Sequence, residues 1–140
     1  MKTKKIIISI FILGFIGAFV AYKMYNKPHV NVANEKADIT LTANKILADF
    51  STDETTANTK YLEKIVQVKG VVSKVEVENE IGIITLETND EFGSVICHLT
   101  PLASKNITKI KERQELVLKG ICTGYLMDVI LVKSIIINKK

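Results

Sequence analysis

Hydrophobic positions follow three regimes along this chain: one unbroken run, then a short helical period, then alternation. The unbroken run is Ile6–Tyr22, IIISIFILGFIGAFVAY, which holds no charge and only Ser9, Gly14 and Gly17 as interruptions. Seventeen residues at helical rise span about 25 Å, close to a hydrocarbon core of roughly 30 Å. Residues 1–25 are therefore expected to be an N-terminal membrane anchor, with Tyr22 and Tyr25 at the level of an aromatic belt. Residues 26–37 are polar, contain Pro28 and hold no sustained period, so a linker is expected there. From Asp38 the period turns helical: Ile46, Leu47 and Phe50 form a stripe beside Ala43. Ser51-Thr52-Asp53-Glu54 has the form of a capping box, predicting a second helix over about Thr52–Leu62. Phe50 and Tyr61 are expected to pack on the sheet, with the Tyr61 hydroxyl in water.

Beyond residue 62 the pattern alternates. Ile65–Val77 is rich in β-branched residues and changes phase near Gly70, which predicts a β-bulge or a sharp coil at that glycine. Strands are expected at Gly82–Thr88, Ser94–Leu99, Glu115–Thr123 and Val129–Ile137, with a turn beginning at Gly124-Tyr125. Between the third and fourth, Leu102–Lys111 predicts a short helix or irregular cover that packs Leu102, Ile107 and Ile110. Three strands, a helix or loop, and two further strands is the order of an OB-fold. The fold class expected is thus mainly β: a five-stranded OB-fold barrel over residues 38–140, preceded by a helical segment 38–62 and a transmembrane helix. An open meander or another small five-stranded barrel has the same strand count.

Lys60-Tyr61-Leu62-Glu63-Lys64-Ile65-Val66-Gln67-Val68-Lys69-Gly70-Val71-Val72 resembles the opening of the bacterial tRNA_anti-like family, an OB-fold group. Val95–Leu99 is similar to that family's third strand, and Leu116–Gly124 to its fourth strand and following turn. The likeness covers about residues 38–138. It implies an OB-fold and an envelope location, and it carries no catalytic residue onto this chain.

Charge sharpens the picture once it is divided. The whole chain is +4, but Lys2, Lys4, Lys5 and Lys23 flank the apolar run; from residue 26 onward, fifteen basic residues face fifteen acidic ones. More lysines before the run than after it favour a cytoplasmic N-terminus and a domain outside the membrane. A cleaved signal peptide shares these features, but small residues at a cleavage site are poor: Ile16 and Ala18 are the best pair. Secretion after cleavage is the alternative location.

An electrically neutral domain argues against nucleic acid, whose binders owe most of their affinity to phosphate neutralisation. The expected strands Gly82–Thr88 and Ser94–Leu99 carry no aromatic for base stacking. The loops around them offer acid: Glu76, Glu78 and Glu80 in the first, Asp128 in the last, with Phe92 and Tyr125 as the aromatics nearby. These six residues are the candidate ligand-face loops. Glu76, Glu78 and Glu80 would share one side of an extended strand, yet no calcium-loop motif accompanies them. The bland reading, a solvated charge run that protects an edge, competes with a cationic peptide or polyamine ligand. His29 has no second ligand at metal spacing.

Cys97 and Cys122 are the only cysteines and share parity with apolar neighbours, so both are expected to face inward. An even count in an oxidising compartment permits a disulfide, and two buried free thiols satisfy the same parity. His98 follows Cys97 and points to the opposite face, so it cannot serve that thiol as a base. No glycine-rich phosphate loop, nucleophile elbow or His–carboxylate pair stands in the sequence, and no cofactor is implied. The expected function is a membrane-tethered binding or assembly module, non-enzymatic, for an envelope protein or small ligand. The alternatives are an envelope enzyme subunit and, less favoured by charge, an oligonucleotide-binding OB domain.

Overall fold

The structure, a computed structural model, describes residues 1–26 and 30–137, which fall into two units, Met1–Val30 and Asn31–Lys140. His29 lies outside the described residues. In the first unit the apolar run extends to a 24-residue helix, α1 (Lys2–Tyr25), with no buried residue and a mean hydropathy of 2.2 over its most apolar window. It is long and apolar enough to cross a membrane. Its polar interruption is neutralised locally, because the Ser9 hydroxyl donates to the Lys5 carbonyl at 3.0 Å.

The second unit begins inside the segment expected as linker. Val32 is buried, and the ammonium of the buried Lys119 donates to the Glu35 carbonyl at 2.7 Å, so residues 31–37 lie on the folded domain. Next comes a strand where a helix start was expected. β1 (Ile39–Thr42) runs parallel to a later strand in the register Ile39↔Val66 to Thr42↔Lys69. Alternating burial of the β-branched run Ile-Thr-Leu-Thr suits a strand, and a partner 27 residues away fixes it: Asp38 Oδ2 accepts from Ile65 N at 2.9 Å.

Two helices follow as expected, with a different joint. α2 (Ala43–Thr52) is capped by Thr42, whose hydroxyl accepts from Lys45 N, and it buries Ala43, Ile46, Leu47 and Phe50. α3 (Glu54–Tyr61) is capped by Asp53, not Ser51: the Asp53 carboxylate accepts from Thr56 N at 3.1 Å, while the Ser51 hydroxyl turns back to Ala48 O. A carboxylate is at least as good an N-cap as serine, and Asp53 has the extended backbone a cap needs.

The barrel strands are β2 (Ile65–Glu78), β3 (Ile81–Leu86), β4 (Val95–Leu99), β5 (Glu115–Leu126) and β6 (Asp128–Ile136). Their order is β2-β3-β4-β6-β5, closing from β5 back onto β2, with β4 and β6 the parallel pair and β1 an added edge strand. That is an OB-fold barrel with a sixth strand. β2 pairs β5 through Val71 and β3 from Val72 onward, so one long strand serves both sides of the closure.

The bulge lies at Ser73, between the pairs Val72↔Leu86 and Lys74↔Thr85, and not at Gly70. Val66, Val68, Gly70 and Val72 keep one inward parity, and the phase changes only afterwards. Gly70 answers a different demand, because a Cβ there would lie 3.1 Å from Ala43 Cβ and 3.2 Å from Leu86 Cβ. The glycine lets α2 and β3 close over β2.

Two further boundaries move. Gly124 and Tyr125 continue β5, and the chain reverses at Met127 (φ 72°). The cover between β4 and β5 is α4 (Pro101–Ser104) plus a 3-10 turn at Ile107–Lys109; it buries Ile107 and half-buries Ile110 but leaves Leu102 74% exposed.

Phe50, buried, sets α2 on the barrel: its ring lies 5.7 Å from Tyr61 and stacks on Tyr125 at 5.5 Å. Tyr61 is fully buried, and its hydroxyl is not in water; it donates to Asp49 Oδ2 at 2.5 Å.

Candidate functional site

OB-folds take ligands on the outer face of their second and third strands and on the neighbouring loops. Here those strands are β3 and β4, joined laterally to β6. Inward positions are Gly82, Ile84 and Leu86 on β3, Val95, Cys97 and Leu99 on β4, and Val129 and Leu131 on β6, all buried. The other parity alternates with them: Ile81 and Thr85, Ile96 and His98, and Ile130 and Val132 are half-buried, while Ile83 on β3 is itself buried. The register sets them side by side, with Thr85↔Ile96↔Ile130 in one row and Ile83↔His98 in the next. This face is therefore aliphatic. It has no aromatic ring, and its one titratable group is His98, half-buried beside Ile83.

The candidate loop residues separate. Glu76 is exposed on β2 and its carboxylate pairs with Lys74 Nζ at 2.7 Å. Glu78 ends that strand, exposed. Glu80 is not on the strand: with Asn79 it makes a two-residue hairpin turn in which both φ are positive, 49° and 67°, as a type I′ turn requires. The three carboxylates thus do not line one side. Phe92 is 77% exposed in the β3–β4 loop. Tyr125 is half-buried with one face against Phe50, so it is not an open stacking platform. Asp128 is occupied structurally, its Oδ1 accepting from Ser94 N at 2.8 Å and from the Ser94 hydroxyl at 2.7 Å. Among the described residues no three His, Cys, Asp or Glu side chains group as a metal site.

Cys97 and Cys122 are buried and free. Both are register partners of Leu131, one on each side of it, so they are two strand spacings apart, about 9–10 Å. A disulfide needs Cα atoms within roughly 7 Å, and Leu131 stands between these two. Burial pushes the Cys97 thiol up to about 12, and raises Cys122 as well. Neither is poised as a nucleophile.

Charge is neutral in sum and divided in place. Glu76, Glu78, Glu80, Glu87, Asp90 and Glu91 gather on the hairpin and the β3–β4 loop, whereas residues 101–114 carry Lys105, Lys109, Lys111 and Arg113 against Glu112 alone. A groove of about 550 Å³ lies between that basic segment and the end of β6, lined by residues such as Lys109, Ile110, Leu116 and Ile136. Sequence reading missed this groove and the aliphatic face. The signals present were the apolar residues at both parities of β3, β4 and β6, and the four bases within nine residues.

The tRNA_anti-like family model matches residues 1–136. Among solved structures, a "putative nucleic acid-binding lipoprotein" from Klebsiella pneumoniae aligns with a TM-score of 0.62 at 14% identity, covering 74% of this chain and 100% of that one. An OBody bound to hen egg-white lysozyme aligns at 0.44 and 15% identity, covering 58% and 88% of the two chains. The Stn1-ten1 complex of S. pombe aligns at 0.42 and 10% identity, covering 54% and 59%. At these identities the first likeness speaks to the fold alone. No curated protein matches the sequence.

Proposed function

Because the chain belongs to the tRNA_anti-like family, we propose that it is a membrane-anchored OB-fold binding module of the bacterial envelope, non-enzymatic, whose barrel recognises a protein partner. The observation that carries this reading is the aliphatic outer face on which Ile81, Ile96, Ile130 and Val132 stand half-buried around the buried Ile83. Oligonucleotide grips on this fold rely on aromatic platforms and a basic groove; isoleucines in rows supply contact area to another apolar surface instead. α1 supports the tether, and Lys2, Lys4 and Lys5 ahead of its apolar run support an N-terminus in the cytoplasm with the barrel outside. The Klebsiella lipoprotein's description accords with an envelope setting and also keeps a second reading, oligonucleotide binding, in the test.

Photo-crosslinking from position 96 in native membranes, with position 108 in the 3-10 turn of the cover segment as an exposed control, examines the reading directly. The expected result is a discrete protein adduct from 96 that Ile130→Glu abolishes, and single-stranded DNA or tRNA binding no tighter than a non-specific Kd of about 10⁻⁴ M. Oligonucleotide binding orders of magnitude tighter, weakened by Ile96→Glu, would replace it with the second reading.

A further inference from the structure

We propose that the groove between the α4–3-10 segment and β6 is a binding site for a single-chain anionic amphiphile, a carboxylate or phosphate head on an alkyl tail. Its volume, about 550 Å³, lies within the ligand-pocket range of roughly 300–1,000 Å³. The walls are apolar, with Ala103, Ile110, Leu116 and Ile136 lining it, and Leu102 stands largely exposed at the same site although no core position claims it. Polar groups join that apolar lining on one segment: Lys109, Asn106 and Gln114 are the donors.

Charge complementarity selects the head group. Lys105, Lys109, Lys111 and Arg113 are all exposed, and none makes an ion pair with another described residue. In a domain otherwise balanced, this is a local surplus of positive field beside an apolar slot. A free inorganic anion would leave the apolar walls unused, and a nucleic acid would find no ring to stack on among the lining residues. An alkyl tail with one negative end satisfies both halves. The site is separate from the aliphatic face of β3, β4 and β6, so either can fail without the other.

The test uses residues 31–140, because the buried core lies wholly in that unit and α1 contributes no buried residue. Dansyl-aminoundecanoate is titrated into the protein and its emission followed. Saturable enhancement is expected, reversed by dodecanoate and not by dodecyltrimethylammonium, which has the same tail and the opposite charge. Lys109→Glu, an exposed change that leaves the fold intact, weakens the probe about tenfold or more. Ala103→Phe, which fills the slot, abolishes binding, while Ile96→Glu on the other face leaves it unchanged. The proposal is overturned if the probe does not saturate, if the cationic amphiphile competes as well as dodecanoate, or if inorganic phosphate or a single-stranded oligonucleotide displaces the probe.

Discussion

Asp49 holds the two helices of the cap together, and replacing it has a calculable effect. One carboxylate oxygen accepts from the Tyr61 hydroxyl at 2.5 Å; the other faces Lys45 Nζ on the preceding turn, with Lys60 Nζ 3.6 Å from the first. Because Tyr61 is fully buried, Asp49→Ala strands its hydroxyl, at a cost of about 1–3 kcal/mol. The lysine contacts are exposed and add at most about 1 kcal/mol. Asp49→Asn retains an acceptor and loses only about 1 kcal/mol. The interaction is attributed by a cycle with Tyr61→Phe, in which the double variant should lose about 1 kcal/mol less than the sum.

The pH dependence has a definite sign. Hydrogen bonds from Lys45 and then Tyr61 hold the Asp49 carboxyl below its ordinary 3.8. The folded state therefore binds this proton more weakly than the unfolded chain does. The contribution is complete above the unfolded value and disappears as pH falls through the folded one. Urea unfolding of residues 31–140, followed by far-UV circular dichroism since the chain has no tryptophan, should give a constant gap between wild type and Asp49→Asn from neutral pH to about pH 5, closing below it. A gap that does not narrow as pH falls below 3.8, or an Asp49→Ala variant no weaker than Asp49→Asn, would refute the account.

Glu80→Gly should stabilise the domain by roughly 0.5–1 kcal/mol in urea unfolding, because a glutamate at φ 67° bears a left-handed penalty that glycine does not. Gly120→Ala should destabilise by about 1–3 kcal/mol, since its Cβ would fall on the Ser134 hydroxyl and 3.1 Å from Val132 O; Ser134→Ala should recover part of that loss. Both thiols should resist Ellman's reagent in the native protein and react without added reductant in denaturant, whereas a bridged pair would release none.

Alternation was a sufficient guide to the barrel because most of its strands bury one parity, and closure then follows from their order. It failed where pairing over long distances decides the outcome. Ile39–Thr42 has four residues, too few to establish a period, and becomes β1 only because β2 offers an open edge. Gly70 drew attention as the conspicuous residue in a long strand, but the bulge forms at Ser73, where β2 has just passed from β5 to β3. Likewise the capping box expected at Ser51 does not form, because α3 starts two residues later with Asp53 as its cap and brings Tyr61 under Asp49.

The candidate surfaces were less legible for a related reason. A period-2 analysis assigns the apolar parity to the core and the polar parity to solvent, so it has no place for a strand apolar on both sides. β3, β4 and β6 are of that kind: Ile84 and Cys97 are partners inside the barrel while Ile83 and Ile96 lie outside it. Only closure distinguishes the two sets, because a closed sheet has one interior and the other parity lies outside it, half-buried except at the buried Ile83. Net charge misleads in the same manner. A balanced sum describes the domain as a whole, whereas the cations of residues 105–113 and the carboxylates of residues 76–91 lie on separate segments. The outer side of β3, β4 and β6 presents branched aliphatic carbon, where base stacking would need a flat ring.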